Sequence, residues 1–143
     1  MSETDLESLE DRITGFLVDL GLPPEPHGER LYAFRYGQTV VVVSLFETSG
    51  ACWVRLASTM LQGFRPTLEL VTRLLRLNTE VLLGSFLIFE DDILTFSVTL
   101  PGDGLASETF AKAMEQVASV SHCYAEELRS LAGGRIVADL FPE

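Results

Sequence analysis

The spacing between apolar residues changes repeatedly along this chain, and these changes constrain the fold more than any other feature of the sequence. From residue 4 to residue 20 the apolar residues recur at the three- and four-residue intervals of one helix face: Leu6, Leu9, Ile13, Phe16, Leu17 and Leu20. Thr4 and Glu7 form a capping-box pattern at the start, and Gly21 is suited to the end. The sequence therefore predicts an amphipathic helix over residues 4–20.

Residues 30–61 follow the two-residue spacing of β-strands instead. Val40–Val43 is β-branched and apolar throughout, which predicts a central strand covered on both faces. Turn-forming residues at 48–50 separate it from the next alternating segment. We predict a three-stranded antiparallel meander here, joined to the first helix by the proline-rich connection Leu22–Gly28.

The second half of the chain returns to helical spacing and then to alternation. Residues 66–79 have the spacing of a helix, and Pro66 is suited to its first turn. Residues 82–101 alternate on either side of Asp91-Asp92. Because Asp tolerates the backbone angles of a tight turn, this segment predicts a β-hairpin.

A last helix is predicted from Ser107, a candidate cap, to about Leu131, and Gly133-Gly134 is suited to end it. The predicted order of elements is α-β-β-β-α-β-β-α. This order predicts an α+β fold in which helices pack on an antiparallel sheet. The chain has 143 residues, the usual length of one domain, which we expect to span residues 1–143.

Composition and cysteine usage indicate a compartment. The chain is 47% hydrophobic, which is too apolar for a disordered protein, yet its apolar runs are shorter than the roughly 20 residues of a membrane span. Its start, MSETDLESLED, is acidic, unlike a signal peptide. Cys52 and Cys123 lie far apart, which indicates unpaired buried thiols in a reducing compartment. We therefore predict a cytoplasmic protein with no membrane association.

The charge of the chain argues against one class of partner. The formal net charge is −11, and the ten Lys and Arg residues are scattered along the sequence. Because nucleic acid binding depends on cations that neutralise phosphates, we predict no nucleic acid partner.

The sequence contains no recognisable arrangement for catalysis. It lacks the nucleophile, phosphate-loop and zinc-protease motifs, and His27 and His122 are its only histidines. His122 and Cys123 are adjacent, so on a helix their side chains point about 100° apart, which is poor geometry for a nucleophile and its base. Glu90–Asp92 is the densest acidic cluster and is typical of a solvated turn. We predict no enzymatic activity and no catalytic, cofactor-binding or metal-binding residue.

Three segments are candidates for an interface. The helix at 66–79 carries more apolar residues than one stripe needs, so it is either buried on two sides or faces another chain. Trp53 lies beside Arg55 on a strand, either as a partner contact or packed under a helix. The apolar segment 135–143 docks either on its own domain or on a second subunit. The candidate dimer or partner interface therefore comprises Leu68, Val71, Leu74, Leu75, Trp53, Ile136 and Phe141.

Several of these segments resemble the YbjN domain family. The most specific is Leu77–Phe86, LNTEVLLGSF, where a helix end leads through a small-residue turn into a strand. The acidic hairpin turn within Glu90–Phe96, Leu100-Pro101 before the last helix, and Tyr124–Leu128 within that helix are also similar to the family. The family often ends the hairpin turn with Gly, whereas Ile93 follows Asp92 here.

The resemblance implies both a fold and a class of function. The YbjN domain is similar in fold to the type III secretion chaperones, which implies small acidic proteins, usually homodimers, that bind segments of other proteins without enzymatic activity. Some family members are linked to regulation. We therefore predict a non-enzymatic, chaperone-like adaptor that binds a partner protein as a homodimer. The alternative is a small-molecule or ion sensor with a pocket between sheet and helix.

Overall fold

The computed structural model describes residues 3–37 and 39–137, with side chains described from Leu6 onward. The elements in chain order are α1 Glu3–Asp19, β1 Pro26–Gly28, β2 Leu31–Tyr36, β3 Thr39–Thr48, β4 Ala51–Gln62, α2 Leu68–Glu80, β5 Ser85–Phe89, β6 Ile93–Pro101, α3 Ser107–Ala132 and β7 Arg135–Ile136. The α+β fold is confirmed, and the predicted order is confirmed apart from two short additional strands, β1 and β7.

All of these strands form one antiparallel sheet. Its order is β1-β2-β3-β4-β6-β5, and β7 pairs with the end of β4. The predicted meander is therefore β2-β3-β4, and the predicted hairpin is β5-β6. β1 occupies part of the proline-rich stretch where we had predicted only a connection. β1 lies at the edge of the sheet. Proline is tolerated on an edge strand because it lacks the N–H that a central strand needs for pairing on both sides.

The helices pack against one face of the sheet, and the core lies between the two layers. Alternate residues of β2, β3 and β4 are buried on this face, as the two-residue spacing predicts. α3 lies across β3, β4 and β6, while α1 contacts β3 and β4. Among the largest fully buried side chains are Phe64, Phe96, Phe110, Leu56 and Met114.

Polar contacts fix α1 to the sheet layer. The Arg12 guanidinium donates hydrogen bonds to the backbone oxygens of Gly102 (2.9 Å) and Leu105 (3.2 Å). The Tyr32 hydroxyl donates to a Glu10 carboxylate oxygen at 2.6 Å. Burial of Tyr32, followed by this bond to Glu10, raises the pKa of Tyr32 to about 12. The contacts of Arg12 and Glu10 therefore hold α1 in place in addition to the packing of its apolar stripe.

The prediction that β3 is covered on both faces is wrong. Val41 and Val43 are fully buried against the helices, but Val40 and Val42 point the other way and are partly exposed. The run of valines reflects the preference of β-branched residues for strands, which holds whether or not a second layer covers them. Within the described residues, one face of the sheet therefore has no helix over it.

The ends of the helices differ slightly from the predictions. α2 begins after Pro66, because the Thr67 side chain caps it by accepting the Leu70 N–H at 3.1 Å. The predicted cap, Ser107, is instead the first helical residue of α3, and the preceding Ala106 makes no side-chain cap bond. α3 ends at Gly133 as predicted, with φ of 77°.

The turn of the hairpin also follows the prediction. Asp91 and Asp92 both have positive φ, 67° and 55°, and Phe89 pairs with Ile93 across the turn. Asp is among the few non-glycine residues that adopt this conformation readily.

Candidate interaction surface

Exposed large hydrophobic side chains cluster in one part of the described sequence, from α2 to β5. Six large hydrophobic residues are exposed in the described part of the chain, and five of them lie on α2, on the loop after it, or on β5. We call these five the α2–β5 surface: Leu68 (83% exposed), Leu75 (63%), Leu82 (95%), Ile88 (39%) and Phe89 (52%). The sixth, Val18, lies on α1. Such clustering is typical of a surface that another molecule covers.

α2 supplies two apolar faces from one helix. Leu70, Leu74 and Leu77 are spaced by four and three residues and are buried in the core. Leu68 and Leu75 lie seven residues apart, so they share the opposite, exposed side. The surplus of apolar residues on this helix is therefore exposed in the single chain.

Two residues of the LNTEVLLGSF segment fix the end of α2 against the sheet. The Asn78 side chain accepts the Phe86 N–H at 2.7 Å and donates to the Phe86 oxygen at 3.4 Å. Gly84 has φ of 94°, and a Cβ at this position would lie 2.6 Å from the Ser97 backbone oxygen. This segment is thus a structural clamp that places Leu82 and β5 beside α2.

A groove of about 630 Å³ runs between α2 and α3, next to this surface. Leu68 and Leu131 supply its apolar lining, and Arg73, Arg76 and Glu127 are among its charged residues. The Arg73 guanidinium forms an ion pair with the Glu127 carboxylate, and this hydrogen bond raises the pKa of Arg73. The groove therefore combines a leucine lining with fixed charges.

The strand at the edge of the sheet adds main-chain groups to the α2–β5 surface. Within the described part of the chain, β5 pairs with β6 on one side and with no strand on the other. An unpaired strand edge offers N–H and C=O groups to an added strand.

The structure places the predicted interface residues in different environments. Leu68 and Leu75 are exposed and Val71 is partly exposed, whereas Leu74 is 5% exposed and belongs to the core. Leu74 is therefore corrected from an interface residue to a core residue, because it lies on the inward stripe of α2. Phe141 lies outside the residues that the structure describes.

Trp53 and Ile136 also differ from each other. Trp53 is partly exposed on the face of the sheet that turns away from the helices, so the prediction that it packs under a helix is wrong. Its indole N–H donates to the Thr48 oxygen at 3.4 Å. Ile136 is 8% exposed and pairs with Leu61 of the same chain, so it too is corrected to a buried residue.

Sequence reasoning missed Leu82, Ile88 and Phe89 as candidates for this surface. Leu82 stands in the apolar run Val81–Leu83, which lies between a helix and a strand, and an apolar connection of this kind is a signal that could have been used. Ile88 and Phe89 carry no such signal, because an alternating strand alone does not tell which sheet edge it occupies.

The structure does not bring the histidines and the exposed cysteine together into a reactive site. His122 and Cys123 are both exposed on α3, so the prediction that Cys123 is buried is wrong, whereas Cys52 is buried as predicted. His27 lies in β1 at the far edge of the sheet. Among residues 3–37 and 39–137, no group of three His, Cys, Asp or Glu side chains is arranged to hold a metal ion. No helix in that same part of the chain is long and apolar enough to span a membrane.

Known structures share this fold. The ExsC–ExsE complex matches with a TM-score of 0.67 and 13% identity, over 86% of this chain and 95% of that one. The HopA1–SchA chaperone–effector complex matches with a TM-score of 0.65 and 12% identity, over 88% and 98%. The Yersinia pestis type III secretion chaperone SycH, in complex with a fragment of YscM2, matches with a TM-score of 0.62 and 13% identity, over 80% and 98%. At these identities the likeness establishes the fold.

Comparison by sequence is more specific about the family. No curated protein matches the sequence significantly. The family described as "T3SS (YopN, CesT) and YbjN peptide-binding chaperone 1" matches over residues 7–140, nearly the whole chain, and confirms the resemblance to YbjN and to the type III secretion chaperones. This chain is therefore a member of the T3SS and YbjN peptide-binding chaperone family.

Proposed function

We propose that this chain is a non-enzymatic, chaperone-like adaptor that works as a homodimer in the cytoplasm and binds a segment of a partner protein. The observation that carries the proposal is the α2–β5 surface, because five of the six exposed large hydrophobic residues of the described chain belong to α2, the loop after it and β5. Membership of a peptide-binding chaperone family supports the partner-binding part, as do the similar ExsC–ExsE and HopA1–SchA structures, which are complexes of two proteins. The whole chain acts as one domain in this proposal.

The α2–β5 surface is the proposed dimer interface. Homodimer interfaces are more apolar than other protein surfaces, and a two-fold axis allows the same apolar patch to cover itself. The unpaired edge of β5 and the groove beside α2 adjoin this surface and provide sites where a partner segment can dock.

The dimer is tested by measuring mass in solution. For the wild type, light scattering at micromolar concentration is expected to give twice the chain mass of 15.8 kDa. Leu75→Asp is expected to give the mass of one chain, because a carboxylate would have to be buried in the interface. Val18→Asp is the matched control, since Val18 is 59% exposed on a helix outside the surface, and it should stay dimeric. A monomeric wild type, or a dimeric Leu75→Asp variant, would contradict the proposal.

The sensor alternative has less support. The groove lies between two helices instead of between sheet and helix, and the Arg73 charge in it is already paired with Glu127. A sensor would show a rise in melting temperature with a particular metal ion or metabolite. The adaptor would show no such rise, but its dimer would protect a bound partner segment from proteolysis.

A further inference from the structure

The face of the sheet that turns away from the helices has an unusual charge distribution. We call it the open sheet face, and its centre consists of Val42, Ser44 and Phe46 on β3, which pair directly with Ala57, Arg55 and Trp53 on β4. In the seven described strands the only acidic residue is Glu47, and it pairs with the buried Cys52, on the helical side of the sheet. The chain has 21 acidic residues, yet none of those in the described strands lies on this face.

The open sheet face is instead positively charged. Arg55 is exposed there, and Arg35 of β2 lies on the same face opposite Val40. The Arg55 side chain donates through Nε to the Thr99 hydroxyl at 3.1 Å, and its guanidinium carbon lies 4.9 Å from the centroid of the Phe46 ring. Among the described residues it forms no ion pair. Neutral neighbours therefore hold the guanidinium in place while its charge and its other N–H donors remain available.

Aromatic and aliphatic side chains surround this charge. Phe46 and Trp53 pair directly across β3 and β4 on one side of Arg55, Val42 and Ala57 pair on its other side, and all four are partly exposed. Trp and Arg are the residues that contribute most often to binding energy at protein interfaces. A guanidinium beside them favours a carboxylate, which it can bind through two parallel hydrogen bonds.

We propose that the open sheet face binds an acidic segment of a partner polypeptide. Apolar side chains of that segment contact Phe46 and Trp53, and one of its carboxylates binds Arg55. This inference rests on the proposed partner-binding function and adds the chemistry of the partner and a second surface, separate from the α2–β5 surface. The net charge of −11 does not prevent it. Apart from Glu47, the acidic residues in the described part of the chain lie on helices, turns and loops. Fields beyond about 8 Å are screened at physiological ionic strength.

Two other occupants fit this face less well. A second copy of the chain, related by a two-fold axis, would place this positive face against itself, and like charges would oppose each other. Single-stranded nucleic acid could stack on Trp53 and Phe46, but two arginines are few for a phosphate backbone that the rest of the chain repels. The charge and the apolar side chains together favour an acidic polypeptide.

The test uses two labelled peptides that share length and apolar positions but carry Glu in one and Lys in the other. Binding to the full chain is followed by anisotropy and by the emission of Trp53, the only tryptophan of the chain. The Glu peptide should bind and change the Trp53 emission, whereas the Lys peptide should not bind. Arg55→Glu should lower the affinity for the Glu peptide at least about tenfold, which is the loss expected for a charge-assisted contact.

Lys112→Glu is the control, because it makes the same change of charge on exposed α3 and should leave peptide affinity unchanged. Circular dichroism melting confirms that both variants fold. Equal binding of the two peptides, no effect of Arg55→Glu, tighter binding of an oligothymidine, or a change of oligomeric mass in Arg55→Glu would each overturn the inference. If the wild type is a dimer but does not bind the Glu peptide, only this inference is overturned. If the wild type is a monomer, the proposed dimer is overturned.

Discussion

Single residues at the end of α2 determine where the α2–β5 surface lies. Asn78 bonds both backbone groups of Phe86, so the last turn of α2 and the first residues of β5 are joined by one side chain. Gly84 lets the chain pass so close to β6 that a Cβ would also lie 2.7 Å from the Val98 side chain. The residues that mark the family resemblance are therefore those that build the surface, and they have no reactive role.

Gly84→Ala is expected to destabilise the fold by about 1–3 kcal/mol, because the methyl group would meet the Ser97 oxygen at 2.6 Å and the backbone has positive φ. Denaturation with urea measures the change. Gly15→Ala is the matched control, since Gly15 lies within α1 with open space around it. It should stabilise the fold by about 0.5–1 kcal/mol. Equal effects of the two substitutions would show that Gly84 is not sterically required.

At the scale of elements, periodicity predicted what depends on local sequence. The helices and long strands were predicted because each buries an apolar stripe with its own period. β1 and β7 were not, because strands of three and two residues have no measurable period, and β7 depends on a pairing with Leu61 that is distant in sequence. On α2, the sequence did not distinguish the exposed Leu68 from the buried Leu74, because it does not tell which stripe of the helix faces the core.

β7 makes a testable contribution to this packing. Ile136→Ala is expected to lower the free energy of unfolding by about 2 kcal/mol or more, because it leaves a cavity beside Leu61. Arg135→Ala, the exposed neighbour in the same strand, should change it by no more than about 0.5 kcal/mol. Because Ile136 packs within its own chain, the variant should keep the oligomeric mass of the wild type. A loss of mass with unchanged stability would indicate docking on a second subunit.

At the scale of the whole molecule, charge and apolar surface are separated into regions. Apart from Glu47, the acidic residues in the described part of the chain lie on helices, turns and loops, whereas the α2–β5 surface is apolar and the open sheet face is apolar and basic. Net charge alone predicted a poor fit to nucleic acid, but it could not predict this separation, since which strand residues share a face depends on register. Two chemically different surfaces allow one chain to dimerise and to bind a partner without competition.

The proposed dimer makes the stability of the whole molecule depend on protein concentration. If the α2–β5 surface is buried between subunits, unfolding also separates the chains, so each tenfold increase in concentration should raise the melting temperature by about 2–4 °C. Leu75→Asp should abolish this dependence, because it removes the dimer without altering the core that Leu70 and Leu77 fill. Val18→Asp should keep it. Scanning calorimetry over a wide concentration range measures the effect. A melting temperature independent of concentration in the wild type would mean that these leucines remain in solvent, and that the chain acts as a single subunit.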